Sequence, residues 1–292
     1  MTDTQQEIPL SPFQKGLAEA CRKLAERPRH STLNAIKGLK RAWLIADLDP
    51  EIALFRAITA EEEAATALMI ALRQRRYPGS RALQPTRHAD KAGFSIMVKM
   101  VGAFFAESGW PNPQLMLVTD KKRPRIDVRI PGKSWGFPPD QMINPDEPLN
   151  LTVKISKGEE PGRLTLFEER FAALASEAGA DSIKAHIETE ANLRSALLYA
   201  SDKGLMVVEN PQPSILERKR RTFILIGLVI IILQSKGHQL FAVQALQTYL
   251  LALGRSSDDV FDYTPRGPDP DLLIEVRKTD GGEPMTTIRR KT

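Results

Sequence analysis

The stretch 49–76, DPEIALFRAITAEEEAATALMIALRQRR, carries three consecutive glutamates inside a helical pattern. Its apolar residues Phe55, Ile58, Ala65, Met69 and Leu72 fall on one stripe at roughly 100° per residue, with Glu62 inside the stripe and Glu61 at its edge. An ionised carboxylate on a face meant for burial is costly unless a cation or donor meets it, so a basic partner elsewhere in the chain is expected. Three readings fit: a solvated charge run from Glu61 to Glu63, a buried structural pair, or a catalytic carboxylate.

His88 is the next chemical candidate. It opens a helical segment, Arg81 precedes it across six intervening residues, and Lys91 follows one turn later. By helical spacing His88 lies about 140° from the middle of its own apolar stripe, which places it outside the core. An exposed imidazole can hold or release a proton near neutral pH, and an adjacent guanidinium can bind a phosphate. That pair suffices for metal-independent RNA cleavage; the plain alternative is two ordinary surface residues.

In HIETEANLRSALLYASD, His186, Glu190 and Arg194 recur every four residues and line one helix face, with Tyr199 near its end. Such ladders usually form solvated salt bridges. Arg194 is also the first choice of partner for Glu62, because guanidinium tolerates burial better than ammonium. The segment DKKRPRIDVRIPGKSWGF sets Lys121, Lys122, Arg123, Arg125, Arg129 and Lys133 beside Trp135 and Phe137. Cations for phosphates next to rings for bases are the equipment of single-stranded nucleic-acid binding, although charged strand edges also serve only to block aggregation.

No glycine-rich phosphate loop, HExxH, GxSxG or kinase signature occurs. One cysteine, Cys21, precludes an internal disulfide, and with four scattered histidines it argues against a metal site, so no cofactor is expected. The 292 residues are 42% hydrophobic and 26% charged, enough for a sizeable core, and the net charge of +5 permits nucleic-acid contact without requiring it. The N-terminal MTDTQQEIPLSPFQ shows no secretory pattern, and a reducing, cytoplasmic setting is the expectation. The charge-free run FILIGLVIIIL has eleven residues, where a spanning helix needs about 17 or more. It reads as a buried core helix, with the basic run RKRR at 218–221 keeping peripheral membrane contact as a weaker alternative.

The elements that must position these groups are mostly helical. Helices are expected over 12–25, interrupted at Pro28, then over 32–46, 49–76 and 87–107, with Asp49 and Thr86 as caps. QLMLVTD, RIDVRIP and LNLTVKIS read as one small sheet. Helices return over 164–177 and 181–201, followed by a helical hairpin around Gly237. The tail, with DLLIEVRKTDGGEPMTTIRR, reads as two strands around an Asp-Gly-Gly turn that could join the sheet.

Three windows, AITAEEEAATAL, RHADK and ANLRSALLYASDKG followed by Pro211, resemble in order the landmarks of AbiV-like abortive-infection proteins of the HEPN superfamily. Those are helical bundles, commonly dimeric, and many HEPN members are RNases with an arginine shortly before a histidine. The resemblance implies Glu62 and Glu63 as the acidic pair, His88 and Lys91 as the histidine-lysine pair, and Arg194 and Tyr199 on the late helix. Thr66 stands where the family usually has a lysine.

The combined expectation is an α+β protein, a mainly helical HEPN-like bundle with an inserted small antiparallel sheet. Its parts are N-terminal helices (1–108), a β-rich segment (109–160), C-terminal helices (161–254) and a tail with a β-hairpin (255–292). The expected function is a cytoplasmic, anti-phage effector that binds or cleaves RNA, with Arg81, His88 and Lys91 catalytic. The alternative is a non-catalytic interaction protein acting through helical dimerisation or partner binding. RNA and a second copy of the chain are the expected partners, with no membrane span.

Overall fold

The computed structural model describes residues 7–107, 114–119, 124–132, 138, 141–157, 163–164, 167–200, 204–255, 272–278 and 285–290. Four helices form the first block: α1 (Pro12–Cys21), α2 (Glu26–Leu44), α3 (Pro50–Gln74) and α4 (His88–Glu107). A capping box starts α1, with Ser11 Oγ accepting from the Gln14 N–H and Gln14 Oε1 accepting from the Ser11 N–H. Asp49 caps α3 by accepting from the Ile52 N–H at 3.0 Å, and Pro50 follows where no intrahelical donor is needed.

Pro28 does not interrupt the chain as expected. It lies in the first turn of α2, where the missing N–H has no intrahelical partner to lose, and Thr32, the expected start, sits a turn inside the helix.

Helix α3 is the axis of the bundle. Ala53, Ala57, Ala60, Ala64, Ala67 and Ala71 recur at alternating steps of four and three and are all buried. This stripe of small side chains lets α2 and α7 (Gln212–Gln234) lie close along α3, the two most extensive helix contacts it makes. FILIGLVIIIL forms the buried half of α7, with Phe223, Leu225, Ile226, Val229 and Ile230 in the core. No described helix is long and apolar enough to cross a membrane. Helices α5 (Glu168–Glu177) and α6 (Ile183–Ala196) lie against α4, and α8 (Leu240–Ala252) completes the bundle. Both α5 and α6 are shorter than expected, and Leu164 belongs to a strand.

The fold is α+β and mainly helical, as expected, but the three strand-like runs divide between two sheets. β1 (Gln114–Val118), β2 (Arg125–Pro131) and β3 (Met142–Ile143) form an antiparallel sheet in that order. β4 (Leu151–Lys157) belongs to a second sheet ordered β5-β4-β6-β7, with β5 (Arg163–Leu164), β6 (Leu272–Lys278) and β7 (Met285–Arg290). The tail hairpin therefore joins the sheet through a parallel β4–β6 pairing that runs from Leu151 opposite Leu272 to Lys157 opposite Lys278. Parallel neighbours require a crossover, and here it is the whole C-terminal helical block.

Two glutamines fasten the sheets to the helices. The Gln234 side chain accepts from the Ile126 N–H at 2.7 Å and donates to the Ile126 carbonyl at 2.9 Å. Gln244 treats Val153 the same way, at 3.2 and 2.9 Å. Each amide satisfies the N–H and the C=O of one strand residue together. Two glycines set close approaches to α4. A Cβ on Gly93 would lie 2.4 Å from the Tyr249 hydroxyl, and Gly254, at φ +69°, turns the chain out of α8 and delivers Arg255 toward α4.

Candidate functional site

Glu62 is 6% exposed at its side chain, and three basic groups converge on its carboxylate. His88 Nδ1 lies 3.0 and 3.1 Å from the two oxygens, Lys91 Nζ 3.1 Å from Oε2, and Arg194 Nη1 3.2 Å from Oε2. His88 and Lys91 are three apart on α4 and so share its α3-facing side. Arg194 arrives from α6 because Leu193 and Leu197 pack on Leu54, Phe55 and Ile58 of α3. Its guanidinium lies 5.4 Å from the centre of the Phe55 ring, a cation–π contact that helps fix it. One negative charge thus meets two fixed positive charges and an imidazole.

The site is open at the histidine. His88 is 43% exposed, Arg194 26% and Lys91 11%. Arg194 Nη1 also lies 3.1 Å from His88 Nδ1. Glu62 would accept from a proton on Nδ1, whereas Arg194 would donate to a bare Nδ1, so the two neighbours favour opposite tautomers of His88. Nε2 has no hydrogen-bond partner among the described residues.

Glu61 is equally buried but makes a different set of contacts. Arg218 on α7 donates to Glu61 Oε2 at 2.9 Å and to Glu190 Oε2 on α6 at 3.2 Å. Burial works against the Arg218 charge, yet the two carboxylates together hold its pKa above the usual arginine value. The ladder of α6 is therefore not a set of mutual salt bridges: Glu190 reaches α7 and Arg194 reaches α3. The rest of the basic run is also engaged, Lys219 donating to the Pro9 carbonyl and Arg220 and Arg221 to Glu217.

The structure does not bring every expected residue to the cluster. Arg81 lies on a single 3-10 turn (Ser80–Ala82), is exposed, and has no ion pair among the described residues. Glu63 is half-buried and likewise makes no side-chain hydrogen bond or ion pair among the described residues, so the buried acids are Glu61 and Glu62, not Glu62 and Glu63. Tyr199 lies beyond the end of α6 and is exposed. Thr66 donates to the Glu62 carbonyl, one turn back along α3. In the basic hairpin, Arg125 pairs with Asp127 at 2.7 Å and Arg129 is exposed, while Lys121, Lys122, Arg123, Lys133, Trp135 and Phe137 lie outside the described residues. Arg125, Asp127, Arg129, Asn144 and Asp146 line a small cleft of mixed charge on the same sheet.

Two groups escaped the sequence reading. Asp90, fully buried on α4, is gripped by both Arg255 nitrogens at 2.6 Å and accepts from the Gln84 N–H at 2.6 Å. Arg218 was visible only as part of the basic run. Cys21 is buried and burial pushes its thiol up to about 11, against a smaller opposing effect of the Thr32 hydroxyl, so it is a core residue and not a nucleophile. Among the described residues no group of three or more His, Cys, Asp or Glu side chains is placed to hold a metal ion. Comparison with family models, curated proteins and solved structures finds no match to this chain.

Proposed function

We propose that the chain is a HEPN-like, cytoplasmic effector of anti-phage type that binds RNA and cleaves it without a metal. The observation that carries this reading is a half-exposed His88 whose Nδ1 is clamped by Glu62 beside Lys91 and Arg194. An imidazole oriented by a carboxylate presents Nε2 as a general base, and Glu62 stabilises the imidazolium that forms. In the step, Nε2 takes the proton of a ribose 2′-hydroxyl and the 2′-oxygen attacks the adjacent phosphorus. The bond to the 5′-oxygen breaks, and water protonates that oxygen. The products are a 2′,3′-cyclic phosphate and a 5′-hydroxyl, and the positive charge of Lys91 and Arg194 favours the extra negative charge of the transition state. Arg81, expected as the phosphate clamp, has no part in this cluster.

RNA incubated with the purified protein in excess chelator should yield ends carrying cyclic phosphate, and His88→Ala should abolish them. Intact RNA, or cleavage by His88→Ala at the parent rate, would remove the proposal.

A second reading is favoured by a separate observation. Leu48, Tyr199, Leu205 and Val207 are exposed, and the Val208 N–H donates to Glu51 Oε1, which holds the 204–208 segment along the start of α3. Exposed apolar side chains grouped on one segment, as Leu205 and Val207 are, fit an interaction surface. On this reading the chain is a non-catalytic interaction protein and the Glu62 cluster only ties the helical blocks. Glu62→Gln then lowers stability, His88→Ala changes nothing, and light scattering shows a dimer that Leu48→Glu disrupts.

A further inference from the structure

The segment from the end of α3 to the start of α4, residues 75–87, is held from the inside by arginines that donate to backbone carbonyls. Arg73 donates to the carbonyls of Ser80, Arg81 and Leu83. Arg255 donates to the Ala82 carbonyl while gripping Asp90, and Asp90 in turn accepts from the Gln84 N–H. Arg75 donates to the Leu233 carbonyl, and the buried Tyr77 hydroxyl accepts from the Gln239 N–H at 2.9 Å. Internal turns close the rest, from the Ser80 N–H to Tyr77, the Ala82 N–H to Gly79 and the Arg87 N–H to Gln84. A loop fixed at so many points has little backbone ordering left to do on binding.

Those outer side chains are cationic. Arg76, Arg81 and Arg87 are all exposed. Between Arg73 and Lys91 the single acid is Asp90, which is fully buried and already saturated by Arg255. Arg87 approaches it only at 3.9 Å, and Arg76 and Arg81 make no ion pair among the described residues. The loop's large apolar side chains, Tyr77 and Leu83, are buried, so nothing on it is equipped to enter a lipid surface. Arg87 directly precedes His88, which brings the charged loop to the edge of the Glu62 cluster.

We propose that the 76–87 loop is a preformed cradle for the phosphodiester backbone of single-stranded nucleic acid, with Arg76, Arg81 and Arg87 as its phosphate-binding side chains. The proposal rests on the RNA reading for the class of polymer and deepens it by assigning binding to this loop and not to the basic hairpin. Contacts to phosphates alone carry no sequence information, so recognition here is independent of base sequence.

The test uses a short fluorescent 2′-O-methyl RNA, which has no free 2′-hydroxyl to react and so reports binding apart from cleavage. Anisotropy titrations across salt concentrations should give the parent protein a slope of log affinity against log salt near −2, from three phosphates at about −0.7 each. Each of Arg76→Gln, Arg81→Gln and Arg87→Gln should flatten that slope by about 0.7. The triple variant should bind at least about tenfold more weakly at about 0.1 M salt, with an unchanged melting temperature because all three side chains are exposed. Arg→Lys replacements at the three positions should keep the slope, and Glu63→Gln, whose carboxylate joins neither cluster, should bind like the parent.

The proposal is overturned if the parent does not bind at low salt, or if the triple Gln variant keeps the parent affinity and slope. It is equally overturned if neutralising the hairpin cations Lys121, Lys122 and Arg123 removes binding while the loop variant does not. Preferential, arginine-dependent binding of phosphatidylserine vesicles over the oligonucleotide would assign the loop to a lipid surface instead. Binding that depends on the loop in a protein that leaves RNA intact would sustain the cradle and remove only the catalytic reading.

Discussion

Glu61 and Glu62 are adjacent on α3 and equally buried, yet they sit in opposite kinds of environment. A step of one residue turns about 100° around a helix, so Glu61 faces α7 while Glu62 faces α4 and α6. Around Glu61 the balance is two carboxylates, Glu61 and Glu190, against the single guanidinium of Arg218, which is 13% exposed. Around Glu62 it is one carboxylate against Lys91, Arg194 and an open imidazole. The first cluster reaches the surface only through an acid, Glu190 at 29% exposed, has no surplus cation, and joins three helices. The second leaves positive charge and an imidazole at the surface. Burial of an acid therefore does not assign its role; the sign of the charge left over, and the exposure of the partners, separate a fastening from a site.

The largest effect expected from breaking this pair of clusters lies on the Glu61 side. Arg218→Met should cost about 3–5 kcal/mol in urea unfolding, because it strands two carboxylates that are otherwise held by one cation. A loss under about 1 kcal/mol would show that Glu61 is not fastened by Arg218. Glu62→Gln comes next, at about 1–3 kcal/mol, since the neutral amide leaves Lys91 and Arg194 facing each other without a counter-charge. The same variant should also abolish RNA cleavage by releasing His88.

His88→Ala should change stability by less than about 1 kcal/mol, the range of a half-exposed pair, and still remove cleavage. Glu63→Gln should move neither stability beyond about 0.5 kcal/mol nor activity, as its carboxylate joins neither cluster. If Glu63→Gln and Glu62→Gln behave alike, the distinction drawn between the acids is lost.

The open cluster was more legible in the sequence than the Glu61 cluster. Glu62 inside an apolar stripe demanded a cation, and Arg194 was the residue whose chemistry best tolerated that position. Arg218 was hidden by its neighbours, since RKRR reads as one solvated flank. A signal was present: Ile215, Thr222, Ile226 and Val229 are buried, and Arg218 falls on their face at helical spacing. Asp90 carried a similar signal, one turn before the buried Phe94 and two before Met97, but Arg255 lies past the end of α8 and no periodicity reaches it.

The fold divides in the same way. Capping chemistry at Ser11, Asp49 and Ser182 marks helix starts locally, so most of the bundle could be read from short windows. The β4–β6 pairing could not, because parallel neighbours more than a hundred residues apart are selected by how the intervening helices pack and not by alternation within either strand. At Pro28 the expected break fails because a proline in a first turn removes no intrahelical bond, and its position within the turn is not marked by any side-chain cap.

The most direct test is the single-turnover cleavage of RNA in excess chelator by the parent and by His88→Ala, each at the same interval below its own melting temperature. The open cluster predicts cyclic-phosphate product from the parent and none above background from the variant, with melting temperatures that nearly coincide. Equal rates from the two proteins, or no cleavage by either, would make Glu62 a second fastening like Glu61.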